Sequence, residues 1–128
     1  MTDIKDLFSG IGVVIDEKIN EEAETPNSIQ KIISSLKENH VPLLEYQELP
    51  DEMIKQFHSI SFLILDWNLS GTEYISKATI DDNIDFLKKL HKVCYVPVFI
   101  FSDENIHDIE VALETNNINL AKEPIFIK

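Results

Sequence analysis

FLILDWNLSG, residues 62–71, is the stretch that decides the fold of this 128-residue chain. Four large apolar residues stand together and are followed at once by Asp66, Trp67 and Asn68. A short, unbroken apolar run of this kind is typical of a strand covered on both faces of a parallel sheet. The sequence therefore predicts a buried central strand that ends beside the carboxylate of Asp66.

Four further apolar segments predict the other strands of the sheet. They are residues 11–15 (IGVVI), 41–46 (VPLLEY), 96–101 (VPVFIF) and 124–127 (PIFI). The first and third of these are as continuously apolar as the central strand. We therefore expect both of them to be covered on both faces as well.

Helical periodicity fills the intervals between these segments. Thr25 and Pro26 indicate the start of a first helix, residues 51–58 form a short second one, and Asp103 and Glu104 begin a fourth. Apolar stripes at helical spacing mark each helix, and the stripe of the second helix predicts that Met53, Ile54 and Phe57 are buried. The stripes are Ile29, Ile32, Ile33 and Leu36; Met53, Ile54 and Phe57; Ile80, Ile84, Leu87 and Leu90; and Ile106, Ile109 and Leu113.

The alternation of strands and helices predicts the fold class. It indicates an α/β domain with a doubly wound, five-stranded parallel sheet in the order 2-1-3-4-5. The sequence stops after the fifth strand, without the helix that would normally cover that part of the sheet. We therefore expect residues 1–128 to be a single domain from the N-terminal part of a longer protein.

The amino-acid composition argues against several classes of function. The 23 acidic and 11 basic residues give a net charge of −12, which opposes binding to nucleic acid or to anionic membranes. The single cysteine, Cys94, excludes an intramolecular disulfide. The N-terminus has neither the basic region nor the apolar run of a signal peptide, so we expect a cytoplasmic protein. Its charge suits a partner with a basic surface, or the binding of cations.

Polar residues follow the predicted strands at the points where the strands end. In parallel sheets these ends share one edge, where ligands bind. Carboxylates and a main-chain carbonyl there would form a hard oxygen site that suits Mg²⁺. A hydroxyl and an ammonium group could bind the oxygens of a phosphoryl group. The residues concerned are Asp16, Glu17, Asp66, Asn68, Ser102 and Lys128.

These motifs, in this order, resemble response-regulator receiver domains. FLILDWNLSG is similar to their phosphoacceptor strand, VVIDE to their first strand with its acidic pair, VPVFIFS to the fourth and PIFIK to the fifth. The resemblance spans the chain except for the missing last helix, and it implies a flavodoxin-like receiver fold. It implies Asp66 as the phosphoacceptor and a Mg²⁺ site made by Asp16, Glu17, Asp66 and the main-chain carbonyl of Asn68. Ser102 would be the switch hydroxyl and Lys128 the phosphate-binding lysine, with Lys122 as a rival for that role.

Several features depart from the receiver pattern. Asp103 stands beside Ser102, where receivers usually carry a small residue, and a second anion there would repel a phosphoryl group. Residues 71–79 resemble an insertion that lengthens the loop after Asp66. Read without the resemblance, Asp66 and Ser102 could simply be turn or helix-capping residues. Trp67 could lie at the mouth of the site or in the core.

Three functions are compatible with these residues. The first is a non-enzymatic signalling receiver that takes a phosphoryl group from a histidine kinase or another phosphodonor and alters a fused or separate effector. The second is a pseudo-receiver that serves as a docking or homodimerisation module without phosphorylation. The third is a haloacid-dehalogenase-like phosphatase, which also uses an aspartate after a buried strand. That class needs a second aspartate as general acid where Asn68 stands here.

Overall fold

A computed structural model of the chain describes residues 10–17, 28–69, 74–102 and 104–127. Within these ranges, five strands alternate with three α-helices and one 3₁₀ helix. In chain order they are β1 (Gly12–Ile15), α1 (Ser28–Glu38), β2 (Leu43–Tyr46), the 3₁₀ helix (Asp51–Ser59), β3 (Phe62–Asp66), α2 (Lys77–Val93), β4 (Val98–Phe101), α3 (Ile106–Thr115) and β5 (Ile125–Ile127). None of these helices is both long and apolar enough to cross a membrane.

All five strands run parallel in one sheet, in the order β2-β1-β3-β4-β5. The predicted α/β fold class and strand order are therefore confirmed, and the arrangement is flavodoxin-like. Each crossover between parallel strands runs through a helix, which returns the chain to the same edge of the sheet. Every strand consequently ends at one common carboxyl edge.

The two central strands are buried on both faces, as their unbroken apolar sequences predict. Val13 and Leu63 face one layer, formed with the 3₁₀ helix, α2 and α3. Val14 and Ile64, one position further along each strand, face the other layer, which is formed with α1. Successive side chains of a strand point to opposite faces, so one apolar run fills both layers.

The prediction that β4 is covered on both faces is wrong. Val98 and Ile100 are fully buried, whereas Phe99 and Phe101 are only half-buried. The ring of Phe99 stacks on that of Phe126 at 5.4 Å, and Phe126 itself is 49% exposed. In the described part of the chain, α1 is the single helix on this face, and its buried residues pack mainly against β1 and β3.

Two details of the helices also differ from the predictions. Met53 does not join Ile54 and Phe57 in the core but is 41% exposed. The loop after Asp66 is shorter than predicted, because α2 begins at Lys77. Ser76 caps this helix by accepting a hydrogen bond from the Thr79 N–H at 3.1 Å. The predicted start of the first helix, Thr25 and Pro26, lies outside the described residues.

Candidate functional site

Two aspartates meet at the carboxyl edge of the central strands. Ile15 of β1 pairs with Leu65 of β3, so the residues that follow this pair, Asp16 and Asp66, are neighbours across the sheet. Asp16 is only 1% exposed, and its N–H donates to the Tyr46 carbonyl at 2.9 Å. Parallel pairing and equal register therefore bring the two carboxyl groups together.

This proximity strongly perturbs Asp66. Burial, the negative charge of Asp16 and a hydrogen bond with the Asp16 side chain raise the pKa of Asp66 to about 7 from its usual 3.8. Burial is the largest cause, because a carboxylate loses hydration when it leaves water. A hydrogen bond between two carboxyl groups needs one proton, so it too favours the protonated form. Asp66 therefore holds its proton more tightly than an ordinary aspartate does.

Two neighbouring residues shift the pKa of Asp66 in opposite directions. The Asn68 N–H donates to Asp66 Oδ1 at 3.3 Å, which lowers the pKa of Asp66 by stabilising the carboxylate. The charge of half-buried Glu17 raises that pKa further. Glu17 is held at the edge through its carbonyl, which accepts a hydrogen bond from Gln47 Nε2 at 3.2 Å. The acidic pair predicted from the sequence thus lies beside Asp66.

Ser102 directly follows β4 on the other side of Asp66. Phe101 pairs with Asp66 in the β3–β4 register, so Ser102 lies one residue beyond that pair. Its Oγ accepts a hydrogen bond from the Glu104 N–H at 2.9 Å and turns the chain towards α3. Glu104 in turn accepts a hydrogen bond at Oε1 from the Ile75 N–H at 3.4 Å. The predicted residues Lys128 and Asp103 lie outside the described ranges.

Sequence reasoning missed Asn83, which is completely buried in the first half of α2. Its Nδ2 donates to the Trp67 carbonyl at 2.6 Å, directly after Asp66. This bond holds the peptide that leads into Asn68. The available signal was a polar residue on an apolar stripe, because Ile80 and Leu87 lie one turn to either side of it.

Trp67 is a core residue and not an aromatic at the mouth of the site. Its side chain is 1% exposed and belongs to the larger of the two apolar clusters. Its N–H donates to the Phe101 carbonyl at 3.0 Å, which continues the β3–β4 pairing by one residue. Asp66 and Asn68 therefore lie on either side of a firmly held residue.

The donor set fits a magnesium ion that keeps much of its water. No group of three side chains capable of holding a metal ion lies together among the described residues. Mg²⁺ is commonly bound by only one or two protein carboxylates, with water and phosphate oxygens completing its shell. Asp16 and Asp66 supply such a pair, and their mutual repulsion is the kind that a divalent cation relieves.

Comparison with known proteins adds no family to this picture. No protein-family model matches the chain, and no curated protein matches it. The site is accordingly interpreted from its own residues and from the fold.

Proposed function

We propose that this chain is a receiver-type signalling domain whose Asp66 accepts a phosphoryl group with the help of Mg²⁺. The observation that carries the proposal is the pair of adjacent carboxyl groups, Asp16 and Asp66, at the carboxyl edge of a flavodoxin-like sheet. Ligands of such folds bind at this edge. The receiver resemblance of the sequence supports the same reading, and the role would be signalling in the cytoplasm and not turnover of a substrate.

The chemistry requires Asp66 in its ionised form. A carboxylate oxygen of Asp66 would attack the phosphorus atom and form a new O–P bond, while the bond from phosphorus to the donor breaks and its electron pair leaves with the donor. The Asn68 N–H, which donates to Oδ1 of Asp66, favours that ionised form and fixes the orientation of the carboxylate. Phosphoryl transfer depends mainly on positioning and charge neutralisation, so no further nucleophile is needed.

Mg²⁺ would be held by Asp16 and Asp66, with Glu17 and the carbonyl of Asn68 as further oxygen donors, directly or through water. When bound it would supply positive charge that offsets the two carboxylates and the incoming phosphoryl oxygens. Asp16, which is buried, would contribute its charge without needing to move. Ser102 retains its hydroxyl proton for a phosphoryl oxygen, because its Oγ acts as an acceptor towards Glu104.

The direction of β5 distinguishes the two lysines that are candidates for binding the phosphoryl group. Lys122 precedes β5, so in a parallel sheet it lies towards the amino edge, opposite Asp66. Lys128 follows Ile127, the last residue of the strand, in the chain. The topology therefore favours Lys128 for contact with the phosphoryl group, and we propose it for that role.

A phosphorylation-independent docking module is the second candidate. It is favoured by the raised pKa of Asp66, because a protonated carboxyl group is a poor nucleophile. Such a module would use the same fold to bind a fused or separate effector, or a second copy of the chain. The phosphatase alternative is disfavoured, since the side-chain amide of Asn68 cannot serve as the general acid.

The deciding experiment is incubation with Mg²⁺ and acetyl phosphate, read by intact mass and by peptide mapping. We expect one added phosphoryl group on Asp66, none in Asp66→Asn, and none when Mg²⁺ is removed by a chelator. A beryllofluoride complex observed by NMR would report the same site without turnover. If the wild-type protein and Asp103→Ala both remain unmodified and show no beryllofluoride shifts, the docking module replaces the receiver proposal.

A further inference from the structure

A separate pocket of about 330 Å³ lies next to the candidate site. It is formed where the chain leaves β2, where it leaves β3, and by the first turns of α2. Its size is at the lower end of ligand pockets, which typically span about 300–1,000 Å³. It therefore has room for one side chain or a small organic ion. The lining residues that matter here are Glu48, Leu49, Asp51, Leu69, Asp82 and Asn83.

The rim of this pocket is acidic. Glu48 and Asp51 come from the segment after β2 and Asp82 from α2, and each is exposed to solvent. Among the described lining residues there is no cationic side chain. Lys89, which interacts weakly with Asp51, is paired with Asp85 at 2.9 Å, and this pair is the main reason that its pKa is raised. The pocket therefore favours a positively charged ligand.

The wall of the pocket contains a buried acceptor that lacks a donor. Asn83 is fully buried, and its Nδ2 is committed to the Trp67 carbonyl at 2.6 Å. Its Oδ1 has no hydrogen-bond partner in the part of the chain that the structure describes. A buried amide oxygen without a partner is costly, since it has lost its bonds to water. Asn83 is one of the residues that line the pocket, so a donor that reaches its Oδ1 from there would relieve this cost.

Two half-buried leucines complete the environment. Leu49 and Leu69 provide apolar surface beside the acidic rim. Such a combination suits an amphipathic cation, whose alkyl stem packs on apolar surface while its charged head meets carboxylates. A guanidinium group carries five N–H donors on one rigid plane, enough to bond an amide oxygen and a carboxylate together.

We propose that this pocket binds a guanidinium group, with its stem between Leu49 and Leu69 and its head between Asp82 and the buried Oδ1 of Asn83. The group could belong to an arginine side chain of a basic partner or to a free alkylguanidinium ion. The net charge of −12 favours approach of either one. The proposal does not depend on phosphorylation of Asp66.

The test is an NMR titration of the full chain with three probes at low salt. They are butylguanidinium, a capped Gly-Arg-Gly peptide, and the matched Gly-citrulline-Gly peptide, which has the same shape without the charge. We expect the two guanidinium probes to shift the amide signals of the pocket residues, with an affinity that falls as salt is added. The citrulline peptide should leave those signals in place. Tighter binding of the arginine peptide would indicate a protein partner, and tighter binding of butylguanidinium a free small ion.

Two variants make the test specific. Asp82→Asn removes one rim carboxylate and should weaken guanidinium binding up to about fivefold, the range of an exposed ion pair. Asp81→Asn removes the neighbouring exposed carboxylate, which pairs with Lys77 and does not line the pocket, and should bind as the wild type does. The proposal is overturned if the two variants respond alike, if citrulline binds as well as arginine, or if the shifts centre on Asp16 and Asp66.

Discussion

Replacing Asp66 by asparagine should stabilise the fold, and the gain should depend on pH. Each pKa unit corresponds to about 1.4 kcal/mol, so a rise from 3.8 to about 7 corresponds to about 4 kcal/mol at most. Asp66 is only half-buried, and solvent screening reduces this to roughly 2 kcal/mol. The asparagine variant keeps the size of the side chain and removes the charge that is costly next to Asp16.

The direction of this pH dependence follows from the linkage between proton binding and folding. The folded state holds the proton of Asp66 more tightly than the unfolded chain does, so folding is favoured below a pH of about 4. That advantage is lost progressively as the pH rises to about 7. Above that pH, Asp66 is ionised in both the folded and the unfolded state. The cost of burying its charge then lowers the free energy of unfolding by the full amount of roughly 2 kcal/mol. The advantage of Asp66→Asn should therefore be small near pH 4 and largest near pH 8.

Urea denaturation of the wild type and Asp66→Asn at these two pH values measures the effect directly. Asp81→Asn removes an exposed carboxylate that lies away from Asp16 and Asp66 and pairs with Lys77, so it is the control and should show no comparable pH-dependent gain. In Asp16→Asn, NMR titration should place the pKa of Asp66 lower, since one negative neighbour is gone. A wild type that is as stable as Asp66→Asn near pH 8, in the absence of divalent cations, would refute the reasoning.

Two further predictions concern the packing around the site. Asn83→Ala leaves the Trp67 carbonyl buried without its donor and should cost about 1–3 kcal/mol of unfolding free energy, whereas Asn116→Ala, which removes a half-buried bond of similar form, should cost less. Gly12→Ala would place a Cβ 2.1 Å from the Phe62 ring and should cost about 1–3 kcal/mol. Urea denaturation measures both, and Phe62→Leu should reduce the cost of Gly12→Ala if the clash is its cause.

The sheet and the position of Asp66 could be predicted because each depends on local sequence. An apolar run of four or five residues followed by an acidic residue occurs at both β1 and β3. Once the strands are parallel and Ile15 pairs with Leu65, the acidic residues that follow must lie side by side. The neighbourhood of Asp16 and Asp66 thus follows from the same pattern that predicts the strands.

The coverage of β4 could not be predicted in the same way. Its sequence is apolar on both faces, but the sequence of a strand does not show which other elements pack on each face. Phe99 is half-buried at the margin of the smaller apolar cluster, where its ring stacks on the exposed Phe126. Met53 shows the same limit, since a short helix can present one apolar residue to solvent while Ile54 and Phe57 stay buried.

Asn83 and the pKa of Asp66 are properties of contacts between distant segments. An asparagine within an apolar stripe resembles a simple interruption until its amide meets the Trp67 carbonyl, 16 residues earlier in the chain. Likewise, the sequence places two aspartates at one edge, but the pKa of Asp66 is raised by its burial and by the charge and side-chain hydrogen bond of Asp16. Such effects depend on distance and dielectric environment, for which sequence periodicity carries no signal.

The two acidic sites of this domain differ in a way that matters for what each can bind. At the carboxyl edge, Asp16 is buried beside Asp66, an arrangement that suits the compact divalent cation proposed above. At the neighbouring pocket, the carboxylates are exposed and the buried group is a neutral acceptor, so an extended organic cation with N–H donors matches better. The Trp67–Asn68 peptide separates the two, held by Asn83 on the side of the pocket and hydrogen-bonded to Asp66 on the other. A cation that engages Asn83 would therefore act on the same peptide that orients the Asp66 carboxylate.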